Sequence, residues 1–83
     1  MEQGQRRTEV VHAIDNAEWQ GSNGIYRINT EYGRAGVSYM PLDGGYNVIV
    51  NGEMHEDAFS PDLATAQENA KRILKNEVLQ RLR

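Results

Sequence analysis

The sequence contains no cysteine, which excludes disulfide cross-links and thiolate metal sites. It also lacks any apolar run close to the roughly 20 residues that a membrane-spanning helix needs. Residues 1–4 have none of the apolar character of a secretion signal. We therefore expect a protein of the cytoplasm that has no membrane partner.

Signatures of common enzyme and nucleotide-binding sites are also missing. The chain has no Walker loop, no dinucleotide-binding fingerprint and no nucleophile elbow, and the glycines of segments 21–24 and 33–36 are typical of turns. A chain of 83 residues can build one thin core but leaves little room for an enclosed active site. We therefore predict a single domain over residues 1–83, with residues 1–7 frayed, and no enzymatic activity.

Two different hydrophobic periods divide the rest of the chain. From Gly24 to Gly52, apolar residues recur at every second position between glycine-containing turns, which is typical of strands. After residues 60–62 the spacing becomes helical and remains so to the C-terminus. Ser60 is a good N-cap and Pro61 suits the first position of a helix, so we expect the helix to begin there.

These patterns predict an α+β fold. A short N-terminal helix over residues 8–17 precedes a three- or four-stranded antiparallel β-meander, and a long C-terminal helix over residues 61–82 packs on one sheet face. The predicted strands cover residues 25–32, 35–40, 46–50 and, as a short fourth strand, 53–55.

The strand alternation assigns side chains to the two faces of the predicted sheet. We expect one face to meet the long helix, and its residues are Tyr26, Ile28, Val37, Tyr39, Tyr46, Val48 and Val50. The other face carries Ile25, Met40 and Ile49, which predict an apolar stripe with Arg27 beside it. These four residues are the predicted partner-binding residues, because an apolar stripe needs a cover. The cover is either the N-terminal helix or another chain.

The net charge of −3 is unevenly distributed along the chain. Residues 1–59 carry four basic and nine acidic residues, whereas residues 60–83 carry five basic and three acidic residues. The acidic body argues against a broad nucleic-acid surface, but Lys71, Arg72 and Lys75 form an alternative nucleic-acid patch on the last helix. The simpler interpretation is that basic residues late in a helix complement its dipole.

One short segment gathers three carboxylates and an imidazole. Glu53, Glu56 and Asp57 surround His55, and such groups can bind a divalent metal or perform acid–base chemistry. A metal would need further ligands from elsewhere in the chain, and the only other histidine is His12. We therefore predict a solvated acidic loop with no metal and no cofactor. Its three carboxylates form an alternative patch for a basic partner.

The predicted order of one helix, three strands and one helix resembles the double-stranded RNA-binding domain. In that family, RNA is bound by a basic cluster of the Lys-Lys-x-x-Ala-Lys type that opens the last helix, and by a histidine-containing loop after the first strand. Here the last helix opens with Ser-Pro-Asp-Leu-Ala-Thr over residues 60–65 and has no lysine before Lys71. The RNA-contacting residues of the family therefore have no counterpart in this chain.

A second pattern resembles small orphan proteins of phages and prophages. These proteins share a Trp, a Gly-x-Tyr, a Gly-Arg and a Gly-Tyr-x-Val-x-Val-x-Gly motif, followed by a Phe and an Ala-rich helix. The matching positions are Trp19, residues 24–26, residues 33–34, residues 45–52, Phe59 and residues 64–70. The resemblance covers residues 19–75. It implies an inhibitor that binds a host complex in the host cytoplasm, as anti-CRISPR proteins do.

The sequence thus predicts a small acidic protein-binding domain that modulates a host complex by steric occlusion. The expected partner is another protein or a second copy of the chain. The alternative function is a nucleic-acid-associated module that uses the basic C-terminal helix.

Overall fold

The computed structural model describes residues 2–82, with side chains from residue 4 onward, and contains two α-helices, a 3-10 helix and a five-stranded sheet. The elements are α1 (Glu2–Asp15), β1 (Gln20–Ser22), β2 (Ile25–Thr30), β3 (Gly33–Met40), β4 (Gly45–Val50), β5 (Glu53–Met54), a 3-10 helix (Glu56–Ala58) and α2 (Leu63–Arg81). The predicted α+β class is confirmed. The sheet has five strands, where the sequence predicted three or four.

The strands form one antiparallel meander in which each strand pairs with the next along the chain. Two of the hairpins turn at Asn-Gly pairs, Asn23–Gly24 and Asn51–Gly52, whose φ angles are all positive, as a two-residue turn of type I′ requires. The sequence did not reveal β1, because its three residues are exposed and carry no apolar alternation.

One face of the sheet is buried under α2. Tyr26 lies opposite Val37, and Val37 lies opposite Val48, so side chains of one phase line the same face. The strand residues of this face that are at most 1% exposed are Ile28, Val37, Val48 and Val50. The helix side of the core is formed by Ala66, Ala70, Leu74 and Val78. Tyr39 differs from the prediction, because it is exposed at one end of the sheet, where its ring centroid lies 5.2 Å from that of Tyr46.

The start of α2 differs from the prediction, because Ser60 is not its N-cap. Ser60 and Tyr46 exchange two backbone hydrogen bonds, of 2.8 and 3.3 Å, which keep Ser60 extended beside β4. Asp62 is the N-cap, and its carboxylate accepts bonds of 2.9 Å from both the backbone N–H and the hydroxyl of Thr65. These two bonds lower the pKa of the Asp62 carboxyl below its ordinary value of 3.8.

Helix α1 begins at Glu2 rather than at Thr8, so residues 2–7, which the sequence predicted to be frayed, are helical in the structure. Met1 lies outside the described residues. Thr8, where the sequence predicted the helix to begin, is inside the helix, and its hydroxyl donates to the Gly4 carbonyl oxygen at 3.0 Å. Val10 and Ile14 are fully buried, and α1 packs against α2. Neither α1 nor α2 is long and apolar enough to cross a membrane.

Candidate functional site

The sheet face opposite α2, called the open face from here on, carries the predicted partner-binding residues. Arg27 lies opposite Gly36, Gly36 opposite Ile49, and Ile49 opposite Met54. These four positions therefore form one row across β2, β3, β4 and β5. In this row the guanidinium of Arg27 lies on one side of Gly36, and the apolar side chains of Ile49 and Met54 lie on the other side.

Gly36 leaves a shallow depression in the middle of this row. The depression has a volume of about 200 Å³, and Arg27, Arg34 and Ile49 are among the residues that line it. A Cβ added at Gly36 would meet only the carbonyl oxygen of Tyr26, at 3.4 Å. The backbone can therefore carry a larger residue at position 36, and the glycine is what keeps the depression open.

Two arginines border the depression. Arg27 lies opposite Gly36 and Arg34 lies opposite Asn29, so the two arginines are diagonal neighbours on the same face. Both are exposed, and neither guanidinium forms a hydrogen bond or an ion pair with any residue in the described part of the chain. The part of the open face around this depression is therefore locally basic, although the chain as a whole is acidic.

The predicted apolar stripe on this face is not continuous. The row in which Ile25 pairs with Ser38 lies between Met40 and Ile49, so a polar residue separates these apolar side chains. Ile49 has an apolar neighbour in Met54 instead, and Ile25 and Met54 are 60% and 54% exposed. Sequence reasoning missed Met54. The two-residue turn before β5 could have identified it, because that turn fixes the register of the hairpin.

Helix α1 does not cover the open face. It packs against α2, on the opposite side of the sheet, and its buried residues Val10 and Ile14 belong to the common core. Neither of the two helices lies across the open face. The sequence predicted that either the N-terminal helix or another chain covers this face. The structure excludes the N-terminal helix.

The alternative nucleic-acid patch is largely engaged within the molecule. Lys71 Nζ donates to the carbonyl oxygens of Asp15 and Ala17, at 2.9 and 2.8 Å, and Lys75 Nζ lies 2.6 Å from Asp15 Oδ1. These contacts satisfy carbonyl groups at the C-terminal end of α1 and fasten it to α2. Of the three predicted cations, Arg72 alone is exposed and makes no such contact with residues 2–82.

The acidic segment is divided between two locations. Glu56 and Asp57 are exposed in the 3-10 helix. Glu53 pairs with Val50, which belongs to the buried phase, so strand alternation turns Glu53 and His55 toward the α2 side of the sheet. Glu56 lines a depression with Asn47 and Met54 of the open face, so it does not share one surface with Glu53.

Glu77 of α2 approaches Glu53 and His55, which the sequence did not reveal. His55 Nε2 lies 3.6 Å from Glu77 Oε2. One potential ligand atom from each of Glu53, His55 and Glu77 lies within 4.8 Å of the other two. The sequence showed no further ligand for His55, whereas the packing of α2 on the sheet brings Glu77 beside it.

Asn51, in the turn between β4 and β5, orients the Glu77 carboxylate. Its Oδ1 accepts the backbone N–H of Arg34 at 3.0 Å, and its Nδ2 donates to Glu77 Oε1 at 3.2 Å. Arg81 Nη2 lies 4.0 Å from the same oxygen. Because Oε1 is held in this way, Oε2 is the oxygen that faces His55.

Comparison of the chain with protein-family models, with curated proteins and with solved structures found no match. Its function is therefore inferred from its own side chains and their geometry.

Proposed function

We propose that the chain is a small protein-binding domain that binds its partner on the open face of the sheet. This proposal rests on one observation. The open face carries the exposed apolar side chains of Ile25 and Met54, and neither α1 nor α2 covers it. Burial of these side chains is favourable, and it requires a surface from another molecule.

The chemistry of the open face favours a partner with acidic groups around an apolar side chain. Arg27 and Arg34 offer guanidinium groups that have no acidic partner within residues 2–82. A carboxylate can accept two parallel hydrogen bonds from one guanidinium, which fixes its orientation. Ile49 and the depression at Gly36 offer apolar contact beside these groups. Arginine beside apolar contact is typical of the residues that dominate binding energy at interfaces.

The edges of the sheet favour binding through the face. The two outer strands, β1 and β5, have only three and two residues. Strands this short present few free backbone N–H and C=O groups, so a partner strand added at either edge would gain few hydrogen bonds.

A second copy of the chain is a poorer partner for this face. A two-fold contact uses the same surface on both subunits. A two-fold contact centred on the depression would bring Arg27 and Arg34 of both copies together, and no strand residue that shares this face is acidic. Like charges that lose solvent in a contact repel each other. We therefore propose a different protein as the partner.

The finer proposal is an inhibitor or modulator, encoded by a phage or mobile element, that acts in the host cytoplasm by occluding a host complex. It is supported by the resemblance of the chain's motifs to small phage and prophage proteins. Steric occlusion requires a binding surface and no catalytic group, which agrees with the chemistry proposed for the open face.

The alternative of a nucleic-acid-associated module has weaker support. Lys71 and Lys75 are engaged with the end of α1, which leaves Arg72 as the exposed cation of the proposed patch. Binding to nucleic acid gains most of its affinity from several phosphate contacts, and one arginine provides few of them.

Affinity capture with variants of the immobilised full chain tests the proposed function. Gly36→Val fills the depression with a residue that suits a strand, and Ile49→Glu adds a negative charge to the same row. Arg72→Glu on α2 is the matched control, because it changes an exposed charge away from the open face. We expect the same protein to be captured by the wild type and by Arg72→Glu, and to be lost with both open-face variants.

Circular dichroism must show that all three variants fold. Equal capture by the wild type and by both open-face variants would remove this face from the function. Capture that is lost in Arg72→Glu, falls steeply with salt and disappears after nuclease treatment would favour the nucleic-acid alternative instead.

A further inference from the structure

We propose that Glu53, His55 and Glu77 form a binding site for one divalent transition metal ion of the zinc type. The site lies between β5 and α2, on the opposite side of the sheet from the open face, and is therefore separate from the proposed partner surface. It offers one imidazole nitrogen and two carboxylate groups from distant parts of the chain.

The spacing of the three groups suits a metal of this size. Zinc binds nitrogen and oxygen ligands at about 2.0–2.1 Å, so two ligand atoms of a tetrahedral site lie about 3.3 Å apart. The observed separation of His55 Nε2 and Glu77 Oε2 is 3.6 Å, and one ligand atom from each of the three residues lies within 4.8 Å of the other two. Glu53 is exposed, so its side chain is free to rotate toward the other two groups and supply the third of the four tetrahedral ligands.

His55 Nε2 is an independent sign that this position takes a ligand. The atom is buried, and it has no hydrogen-bond partner. Buried polar atoms in folded proteins are nearly always paired, because an unpaired one loses its hydration without compensation. The backbone N–H of His55 donates to the Val48 carbonyl oxygen at 2.8 Å, which fixes the main chain from which the imidazole reaches Glu77. A metal ion would satisfy this nitrogen, which has no hydrogen bond and whose nearest carboxylate oxygen, Glu77 Oε2, lies 3.6 Å away.

Glu77 has the support that metal-binding carboxylates need. Asn51 Nδ2 donates to Oε1, while Oε2 is left toward His55. Hydrogen bonds from residues around a metal site orient its ligands and raise the affinity for the metal. Asn51 cannot turn its amide around without placing an NH₂ group against the backbone N–H of Arg34, so the orientation of the donor is fixed.

The donor set selects the class of metal. Imidazole suits zinc and its neighbours among the transition metals, whereas magnesium and calcium prefer oxygen ligands alone. Three protein ligands leave the fourth position for water or for a group of another molecule. A bound ion would also link the β4–β5 hairpin to α2 and stabilise the folded chain, because the unfolded chain has no such site.

Isothermal titration calorimetry of the untagged full chain with zinc chloride tests the site. We expect saturable binding of one equivalent, reversal by a chelator and a higher melting temperature with the metal. His55→Ala and Glu77→Gln should each weaken binding at least about tenfold, since even residues around a metal site change affinity by that amount. Glu77→Gln keeps an oxygen for Asn51, so the fold should be retained.

Two control variants make the result specific. His12→Ala removes the other histidine, and Glu56→Gln removes a neighbouring acidic group, and both should bind zinc as the wild type does. The visible absorption of bound cobalt should report tetrahedral coordination in the wild type and be absent in His55→Ala. No saturable binding by the wild type, or binding that His55→Ala and Glu77→Gln leave unchanged, would overturn the proposal.

Discussion

Asn51 Nδ2 donates a hydrogen bond of 3.2 Å to Glu77 Oε1, and this bond joins the β4–β5 turn to the long helix. Asn51 also supplies the positive φ angle, +50°, that the turn requires. One residue therefore shapes the hairpin through its backbone and attaches it to α2 through its side chain.

The first prediction is that Asn51→Asp destabilises the fold by about 1–3 kcal/mol, the usual effect of losing a hydrogen bond to a charged group and leaving that group unpaired. Aspartate tolerates the positive φ angle, but it replaces the Nδ2 donor with an oxygen that repels the Glu77 carboxylate. Chemical denaturation measures the loss. Adding Glu77→Gln to Asn51→Asp should recover part of the stability, because the new amide can donate to the aspartate.

Asn23→Asp is the matched control for that variant. Asn23 holds the corresponding position of the other Asn-Gly turn, with φ +55°, and is exposed. Its replacement should leave stability nearly unchanged. If the two variants lose equal stability, the turn conformation and not the bond to Glu77 explains the effect.

The second prediction is that Leu74→Ala destabilises by about 2–5 kcal/mol and Val48→Ala by a smaller amount, because truncation in a core leaves a cavity. Both side chains are fully buried, where α2 meets the sheet. Thermal melts measure the loss. Leu42→Ala is the control and should melt like the wild type, because Leu42 is fully exposed. Wild-type melting of both core variants would mean that the assignment of the buried phase is wrong.

The third prediction concerns the attachment of α1. Lys71→Met removes the donor to two carbonyl oxygens at the end of α1, each bond contributing about 1 kcal/mol. Amide hydrogen exchange should become faster in α1 while the amides of β3 and β4 keep their protection. Arg72→Met is the control, because Arg72 is exposed beside Lys71 and makes no such bonds within residues 2–82. Unchanged exchange in α1 of Lys71→Met would show that apolar packing alone holds the helix.

The fourth prediction is a pH dependence that arises at Asp62. The pKa of this carboxyl is lower in the folded chain than its ordinary value of 3.8, first because of the backbone N–H of Thr65 and then because of its hydroxyl. A carboxyl with a lowered folded pKa stabilises the fold above the unfolded value, and that contribution is lost as the pH falls through the folded pKa.

The stability difference between the wild type and Asp62→Asn should therefore shrink as the pH is lowered below 3.8. Asparagine keeps the capping oxygen but cannot titrate. Thr65→Val should reduce the pH-dependent part of this stability difference, because it removes the hydrogen bond from the Thr65 hydroxyl to Asp62 and keeps the one from the backbone N–H. Denaturant titrations across this pH range provide the measurement, and a difference that does not change with pH would contradict the prediction.

The sequence predicted the sheet and the long helix well, because the spacing of apolar residues within each segment indicates its secondary structure. Alternation at Tyr26, Ile28 and Val48 reports the two faces of a strand directly, since successive side chains point to opposite sides. The predicted start of α2 was wrong by two residues, because the backbone pairing of Ser60 with Tyr46 competes with its use as a cap. Such pairing joins residues far apart in sequence and leaves no local pattern.

The candidate sites were predicted less completely. The sequence placed Ile25, Arg27, Met40 and Ile49 on one face, and the pairing register then separated Met40 from Ile49 and added Met54. The apparent isolation of His55 in the sequence was misleading, because its neighbour Glu77 belongs to another element.

The sequence by itself determined the period of each segment, the Asn-Gly turns and therefore the two faces of the sheet. These features depend on backbone geometry within a few residues. Only the tertiary structure decided that α1 lies on α2 and leaves the open face uncovered, and that Glu77 lies beside His55. Both depend on where the helices pack against the sheet and against each other. The packing of side chains from distant segments fixes the position of each helix, so no short stretch of sequence predicts it.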